Sequence, residues 1–282
     1  MLEPLYFKKY FLILLAGGIL DDAIKAFIKL NDSSLTIIEK IFDIFSNYDS
    51  NKIENRIITL PNNYLEYLNQ LSIENSSNIK KYIENYKVIY SGYTLVDTIK
   101  NVLDNLGEFE GYLLFVATDT PFVSYESIND IIFRLDYIDG DVFFPIVSKE
   151  VYEVKFSNRA SKLRTFVKLK KDSFCGTSIF VINKKVINSF MNLMELILNN
   201  RKKPLKLAEI FGYDILFKFI LGDLTVVELE EKISQMYNIK VHAVLTNYAE
   251  LAFNIDKKED LLFYRNFLSH QLKKTTNLIS GK

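Results

Sequence analysis

Short, fully apolar runs along this chain alternate with stretches whose apolar residues return at helical spacing. A run bounded by turn residues predicts a buried strand, and the wider spacing predicts a helix with one face inward. Phe11 to Ala16 is the first such run, and Gly17-Gly18 closes it. Leu35 to Phe45 has helical spacing, and Arg56 to Leu60 reads as a second strand ended by Pro61. Tyr64 to Leu71 and Asn78 to Tyr86 read as helices, and Lys87 to Tyr90 as a strand before Ser91-Gly92. Thr94 to Leu106 is an amphipathic helix, and Tyr112 to Ala117 is a fully apolar strand ending at Thr118-Asp119-Thr120-Pro121. A helix starting at Ser124 or Tyr125 covers Ile128 to Leu135, and Asp141 to Val147 is a strand. Its Pro145 predicts an edge position or a strand end, because proline has no donor for a ladder.

Strands separated by helices in this rhythm predict βαβ units and a largely parallel sheet. From Lys149 the pattern changes. Lys162 to Lys171 alternates polar and apolar residues, which predicts a half-buried antiparallel strand. Ser178 to Ile182 is another strand, followed by helices over Lys185 to Asn199, Lys206 to Leu221 and Thr225 to Tyr237. Val241 to Leu245 is a strand, Leu251 to Ile255 an apolar run ending at Asp256, and Lys258 to Leu272 a closing helix. No repeat or low-complexity linker divides the chain. One domain over 1–282 is expected, with a helical segment near 185–237.

Three places carry candidate chemistry. Gly17-Gly18 at a strand end, with Lys25 soon after, suits an anion site of backbone N–H groups and one point charge. An ordinary turn beside a surface lysine gives the same pattern. Asp119 follows the strongest strand, and ligands bind outside the carboxyl ends of parallel strands. A carboxylate there suits Mg²⁺, but an N-cap or turn before proline also favours Asp. Asn254 and Asp256 are two apart, so on a strand both point the same way. Asp256 also stands three residues before Glu259, as in a capping box.

Composition narrows the partners. The chain has 282 residues, 49% of them hydrophobic, and its 35 basic and 35 acidic residues cancel. A neutral balance argues against general nucleic-acid binding, which needs a basic surface. The one cysteine, Cys175, cannot form an internal disulfide, which fits a cytoplasmic protein. The N-terminal apolar run is too short to span a bilayer, and no signal-peptide cleavage site stands out. His242 and His270 lack metal-ligand spacing. No nucleophile motif surrounds Cys175. Arg201-Lys202-Lys203 reads as a charged helix end, and Glu228 to Glu231 as a solvated helix face. Arg159, Lys162, Arg164 and Lys168 form a basic stretch suited to an acidic acceptor or to a solvated strand face.

Taken together and in order, these segments resemble the nucleotidyltransferases with the GT-A-type, Rossmann-like fold, most closely the MobA-like NTP transferases. The resemblance rests on Leu15-Ala16-Gly17-Gly18 with Lys25-Ala26-Phe27, on Thr118-Asp119-Thr120-Pro121-Phe122, and on Asn254-Ile255-Asp256-Lys257-Lys258-Glu259-Asp260-Leu261. Asp141 to Val147, Phe174 to Phe180 and Arg201 to Leu207 resemble bacterial members of uncertain substrate. The resemblance implies a three-layer αβα fold with a mostly parallel, mixed central sheet. It implies transfer of a nucleoside monophosphate from an NTP to a phosphorylated acceptor, with release of pyrophosphate. The residues implied for nucleotide are Leu15, Ala16, Gly17, Gly18, Lys25, Gly92 and Thr118. Lys25 and Asp119 are the catalytic pair, and Mg²⁺ is expected on Asp119, Asn254 and Asp256. Arg164, Gly176, Thr177 and Ser178 are expected at the acceptor. A nucleotide-sugar-dependent glycosyltransferase and a non-catalytic nucleotide- or partner-binding member are the alternatives. Three departures bear on this. The loop Ile19-Leu20-Asp21-Asp22-Ala23-Ile24 has two carboxylates and no arginine. Asp32-Ser33-Ser34 stands for the usual Gly-Lys-Pro. Gly176-Thr177-Ser178 stands where relatives often have Gly-Gly-Asn.

Overall fold

The computed structural model describes residues 6–30, 35–49, 51–200 and 202–279, so Asp32-Ser33-Ser34 and Arg201 lie outside the described residues. The strands are β1 (Tyr10–Leu15), β2 (Ile19–Leu20), β3 (Ala23–Ile24), β4 (Ile53–Leu60), β5 (Lys87–Tyr90), β6 (Tyr112–Ala117), β7 (Val142–Ser148), β8 (Val167–Lys168), β9 (Ser173–Gly176), β10 (Ile179–Asn183) and β11 (Val241–Leu245). The helices are α1 (Ile37–Ser46), α2 (Tyr64–Asn69), α3 (Ile73–Ile83), α4 (Leu95–Asp104), α5 (Tyr125–Leu135), α6 (Lys149–Ser161), α7 (Lys184–Asn200), α8 (Pro204–Ile210), α9 (Tyr213–Leu221), α10 (Val226–Tyr237) and α11 (Lys258–Ile279).

One sheet runs β5-β4-β1-β6-β10-β7-β9-β8, with β11 added beside β7. β5, β4, β1 and β6 pair in parallel, β10 runs antiparallel between β6 and β7, and β11 is parallel to β7. The sheet is therefore mixed, and the carboxyl ends of β1, β4, β5, β6 and β7 share one edge. Alternate residues feed two cores. Tyr10, Leu12 and Leu14 of β1 pack with α1, α3, α5 and α6, whereas Phe11 and Ile13 pack with α4, α7 and α10. Two helical layers thus sandwich the sheet, which is the three-layer α/β arrangement expected from the sequence. No helix among the described residues is long and apolar enough to cross a membrane.

Several expectations change. Pro145 lies in an interior strand. β10 pairs with β7 at Val142 and Phe143, and β9 takes over at Ile146. The missing donor of Pro145 falls at this handover, where its carbonyl accepts from Thr177 N at 3.1 Å as an ordinary N–H···O bond. Residues 149–161 form α6 although no helix was expected there. Tyr152, Phe156 and Ala160 recur every fourth position and are fully buried, and Ser157 breaks the regular turn with φ 72°. Only Val167–Lys168 of the Lys162 to Lys171 stretch is strand. The expected helix Lys206 to Leu221 is two helices, because Gly212 takes φ 109°, which side-chain-bearing residues avoid. Leu251 lies in a 3₁₀ turn, Ala249–Ala252, so Asn254 and Asp256 stand on a loop rather than a strand.

Candidate active site

The loops after β1 and β6 leave the sheet side by side. Thr118 donates from both N and Oγ1 to the Leu15 carbonyl, at 3.2 and 3.0 Å, which ties the two loops together. Gly17 and Gly18 both keep φ in the ordinary negative region. What Gly17 requires is space, since a Cβ there would meet Ser91 Cβ at 2.6 Å. The first loop therefore packs directly on the loop after β5. Ile19 to Ile24 folds as the β2–β3 hairpin, turned by Asp21 at φ 52°, and the Lys25 backbone N–H returns to the Gly18 carbonyl at 2.9 Å. That return delivers the Lys25 side chain to the mouth of β6.

There Lys25 Nζ lies 3.2 Å from Asp119 Oδ2 and 3.3 Å from Asp256 Oδ1. Asn254 Nδ2 donates to Asp119 Oδ1 at 3.0 Å, and the Ile255 N–H donates to the Asp119 carbonyl at 2.9 Å. Four residues from three distant segments thus meet at the carboxyl edge of the sheet. Asp256 is the open member, with 48% of its side chain exposed against 18% for Asp119. Burial pushes the Asp119 carboxyl above the usual carboxylate range. Lys25 opposes this, the like charge of Asp256 adds to it, and the Asn254 bond opposes it. Burial also pushes Asp256 upward, but Lys25, Arg164 and Lys202 outweigh it and hold that carboxyl below its usual range.

The loop bearing Asn254 and Asp256 is held from behind. Phe122, the residue after Pro121, meets the rings of Phe156, Phe253, Tyr264 and Phe267 at 5.1, 5.0, 4.9 and 5.3 Å. This cluster fastens the loop after β6 to the 253–256 loop and α11. Asp260 accepts from the N–H groups of Asp256 and Lys257 at 2.9 and 3.0 Å. Asp260, rather than Asp256, therefore holds the start of α11, and the Asp256 carboxylate is left to Lys25.

Arg164 corrects the acceptor assignment. Its guanidinium pairs with Asp260 Oδ1 at 3.3 Å, donates to the Asn254 carbonyl, and lies over the Phe253 ring at 4.9 Å. With 9% of the side chain exposed, it supports the loop from inside and presents nothing to an acceptor. The side chain of Arg159 is outside the described residues. Gly176, Thr177 and Ser178 do reach the carboxyl edge, where the Ser178 carbonyl accepts from Ala117 N at 2.9 Å. The Ser178 N–H and Oγ both donate to the Leu251 carbonyl, and Thr177 Oγ1 bonds the Ile179 backbone. Gly176 lies against the Phe144 ring. Gly92 donates its N–H to Thr98 Oγ1 at 3.0 Å, and Ala16 donates to the Thr59 carbonyl at 3.0 Å. Among the described residues, the N–H groups of Gly17 and Gly18 have no such partner, so both are donors that this edge can offer a ligand.

Other candidates fall into structural roles. Cys175 is buried beside the Val147 carbonyl, and burial pushes its thiol up to about 12, far from thiolate chemistry at neutral pH. His242 stacks on Phe143 and bonds the Asp139 carbonyl. Sequence reasoning gave no role to Asp260 or Ser91. The position of Asp260 in the first turn of a helix was a usable signal for the former.

Apart from Lys25 and the Asn254 amide nitrogen that donates to Asp119, the side-chain atoms grouped at the carboxyl edge are oxygens. Two carboxylates and an amide fit Mg²⁺, which binds through one or two carboxylates and otherwise takes water and substrate phosphate. Among the described residues no cluster of three or more His, Cys, Asp or Glu side chains could cage a metal alone. A cation entering here has to share the carboxylates with Lys25.

No protein-family model matches the sequence, and no curated protein matches it. Solved structures do match in fold. A hypothetical transferase from Thermus thermophilus is 21% identical, with TM-score 0.67, over 90% of this chain and 99% of its own. The 4-diphosphocytidyl-2C-methyl-D-erythritol synthase of Anaerococcus prevotii is 15% identical, with TM-score 0.55, over 93% and 96%. The bifunctional IspDF of Campylobacter jejuni is 16% identical, with TM-score 0.50, over 90% of this chain and 54% of its own. At these identities the likeness is one of fold: a mixed, Rossmann-like α/β sheet shared with proteins named as transferases and synthases.

Proposed function

We propose that this chain is a single-domain, Mg²⁺-dependent nucleotidyltransferase, resembling the MobA-like group, that works in the cytoplasm. It transfers a nucleoside monophosphate from an NTP to a phosphorylated small-molecule acceptor and releases pyrophosphate. An acceptor phosphate oxygen forms the new bond to the α-phosphorus as the bond from the α-phosphorus to the α,β-bridging oxygen breaks, and that oxygen leaves as a terminal oxygen of pyrophosphate. Negative charge therefore grows on the leaving group. Lys25 is the cation placed to neutralise it, and the N–H groups of Gly17 and Gly18 are the donors nearest that chain of phosphates. Asp119, Asp256 and Asn254 would hold Mg²⁺, which supplies charge neutralisation to phosphate oxygens. Asn254 and the Phe122 ring cluster keep Asp119 in place, and positioning of this kind provides much of the rate in such transfers.

The observation that carries the reading is the meeting of Lys25, Asp119, Asn254 and Asp256 at one edge. The likeness to proteins named as transferases supports it. A synthase whose named product bears a diphosphocytidyl group puts CTP first among the nucleotides to test. One feature favours a second reading. The β2–β3 hairpin carries Asp21 and Asp22 where related loops carry arginine, and Asp21 pairs with Lys258 at 3.2 Å. A non-catalytic nucleotide-binding protein would tolerate that hairpin more readily. Thermal-shift measurements with each NTP and with nucleotide sugars, all with Mg²⁺, separate the readings, because a ligand stabilises by mass action. A shift with an NTP, followed by pyrophosphate release on adding phosphorylated acceptors, is the expected result. A shift with nucleotide sugars alone marks a glycosyltransferase, and NTP binding with no release under any acceptor marks the non-catalytic form.

A further inference from the structure

Charge at the proposed site does not balance. Lys25 faces both Asp119 and Asp256, and the hairpin beside it adds Asp22 together with an Asp21 that already occupies Lys258. A nucleoside triphosphate has the same sign as this wall, so cations have to come from elsewhere. The α7–α8 turn supplies them. β10 runs antiparallel to β6, so α7 starts at the opposite edge, where Lys184 N bonds the Gly111 carbonyl at 2.9 Å. Its 17 residues carry the chain back about 25 Å, across the sheet to the carboxyl edge. α7 packs on α4, with Lys100 and Glu195 at 3.8 Å. α4 begins at Leu95, one turn and a half before Lys100, and α7 ends at Asn200, one turn and a half after Glu195. The turn after α7 therefore stands beside the loop after β5, the loop whose Ser91 packs on Gly17. It carries Lys202 and Lys203, both exposed and, among the described residues, without an ion-pair partner.

We propose that Lys202 and Lys203 form a phosphate-binding wall opposite Lys25, gripping the phosphate chain of the bound nucleotide from the α7 face. This rests on the nucleotidyltransferase reading and gives it the cations that the hairpin lacks. Lys206, one turn further along, is already paired with Glu209 at 3.0 Å and serves as a control.

Calorimetric titration of CTP, UTP, ATP, GTP and inorganic pyrophosphate, each with Mg²⁺, tests this on the full chain. The double variant Lys202→Gln, Lys203→Gln should bind the preferred triphosphate and pyrophosphate about tenfold more weakly or worse, the scale of losing charge-assisted hydrogen bonds. Its melting temperature should match wild type, and Lys206→Gln should bind as wild type does. Added salt should weaken triphosphate binding less in the double variant than in wild type, because fewer charge contacts remain to be screened. Unchanged affinity in the double variant, with Mg²⁺-dependent binding lost in Asp119→Asn, overturns the phosphate wall and leaves the nucleotidyltransferase reading standing. Equal weakening for the unphosphorylated nucleoside overturns it as well, since the turn would then shape the pocket rather than grip phosphate. Wild type that binds none of these probes removes both.

Discussion

Two charge clusters share the loop that leads into α11. Arg164 and Asp260 lie inside it, with side chains 9% and 0% exposed, while Lys25, Asp119 and Asp256 lie at its mouth, at 14%, 18% and 48%. The inner pair is held almost wholly by the protein itself: Asp260 accepts from two backbone N–H groups, and Arg164 donates to the Asn254 carbonyl and lies over a ring face, with only its Nε–H left without a partner. The outer cluster is satisfied only in part, with one ammonium between two carboxylates and an edge of Asp256 open to solvent. The same residue types thus do different work. A sealed pair fixes backbone, and an open, unbalanced group keeps oxygen atoms ready for a charged ligand.

The largest effect is expected at the inner pair. Arg164→Ala leaves Asp260 buried without its cation and should cost about 3–5 kcal/mol of folding stability, read by chemical denaturation. A loss near zero would place Arg164 with surface pairs and undo the contrast. At the mouth, Lys25→Ala should lower pyrophosphate release about 10²-fold, the scale of one preorganised charge-stabilising donor, with little change in melting temperature. Lys29 is exposed, and its alanine variant should keep near-normal turnover. If the two lysines prove equally dispensable, Lys25 has no part in the chemistry.

The smallest effect sharpens the comparison from the stability side. Asp119 ionises less readily when folded than its ordinary value of 3.8, because it is buried beside Asp256. A group with a raised folded value favours the folded state when protonated, and that advantage fades as pH rises through the ordinary value toward the raised one. With a chelator present, Asp119→Asn should therefore be at least as stable as wild type at neutral pH. The difference should shrink as pH falls below the ordinary carboxylate range. A loss of stability at neutral pH comparable to that of Arg164→Ala would make Asp119 a structural residue.

Much of the fold was legible because its signals are local. β5, β6 and β11 fall at the residues expected for them, and β6, buried along its middle on both faces, is apolar throughout. The carboxyl-edge position of Asp119 followed from the same signal. What the sequence hid depends on pairing across the sheet. Pro145 reads as an edge residue until two partner strands are seen to change over beside it. Arg164 alternates like a strand residue, yet its direction is set by Asp260, far along the chain. Asn254 and Asp256 reach one place by a loop held with rings and backbone bonds, and no period in the sequence encodes that. Gly17 has its reason in Ser91, which only the fold brings near.

The central claim is that Asp119 belongs to the open cluster and serves a metal-bound nucleotide. Asn keeps the size and turn-forming ability of Asp and removes the charge that a hard cation needs. Nucleotide titrated into wild type and Asp119→Asn, with and without Mg²⁺, tests this directly. The expected result is Mg²⁺-dependent binding in wild type and its loss in a variant that remains folded. Identical Mg²⁺-dependent binding in both proteins would contradict the claim and return Asp119 to a turn residue.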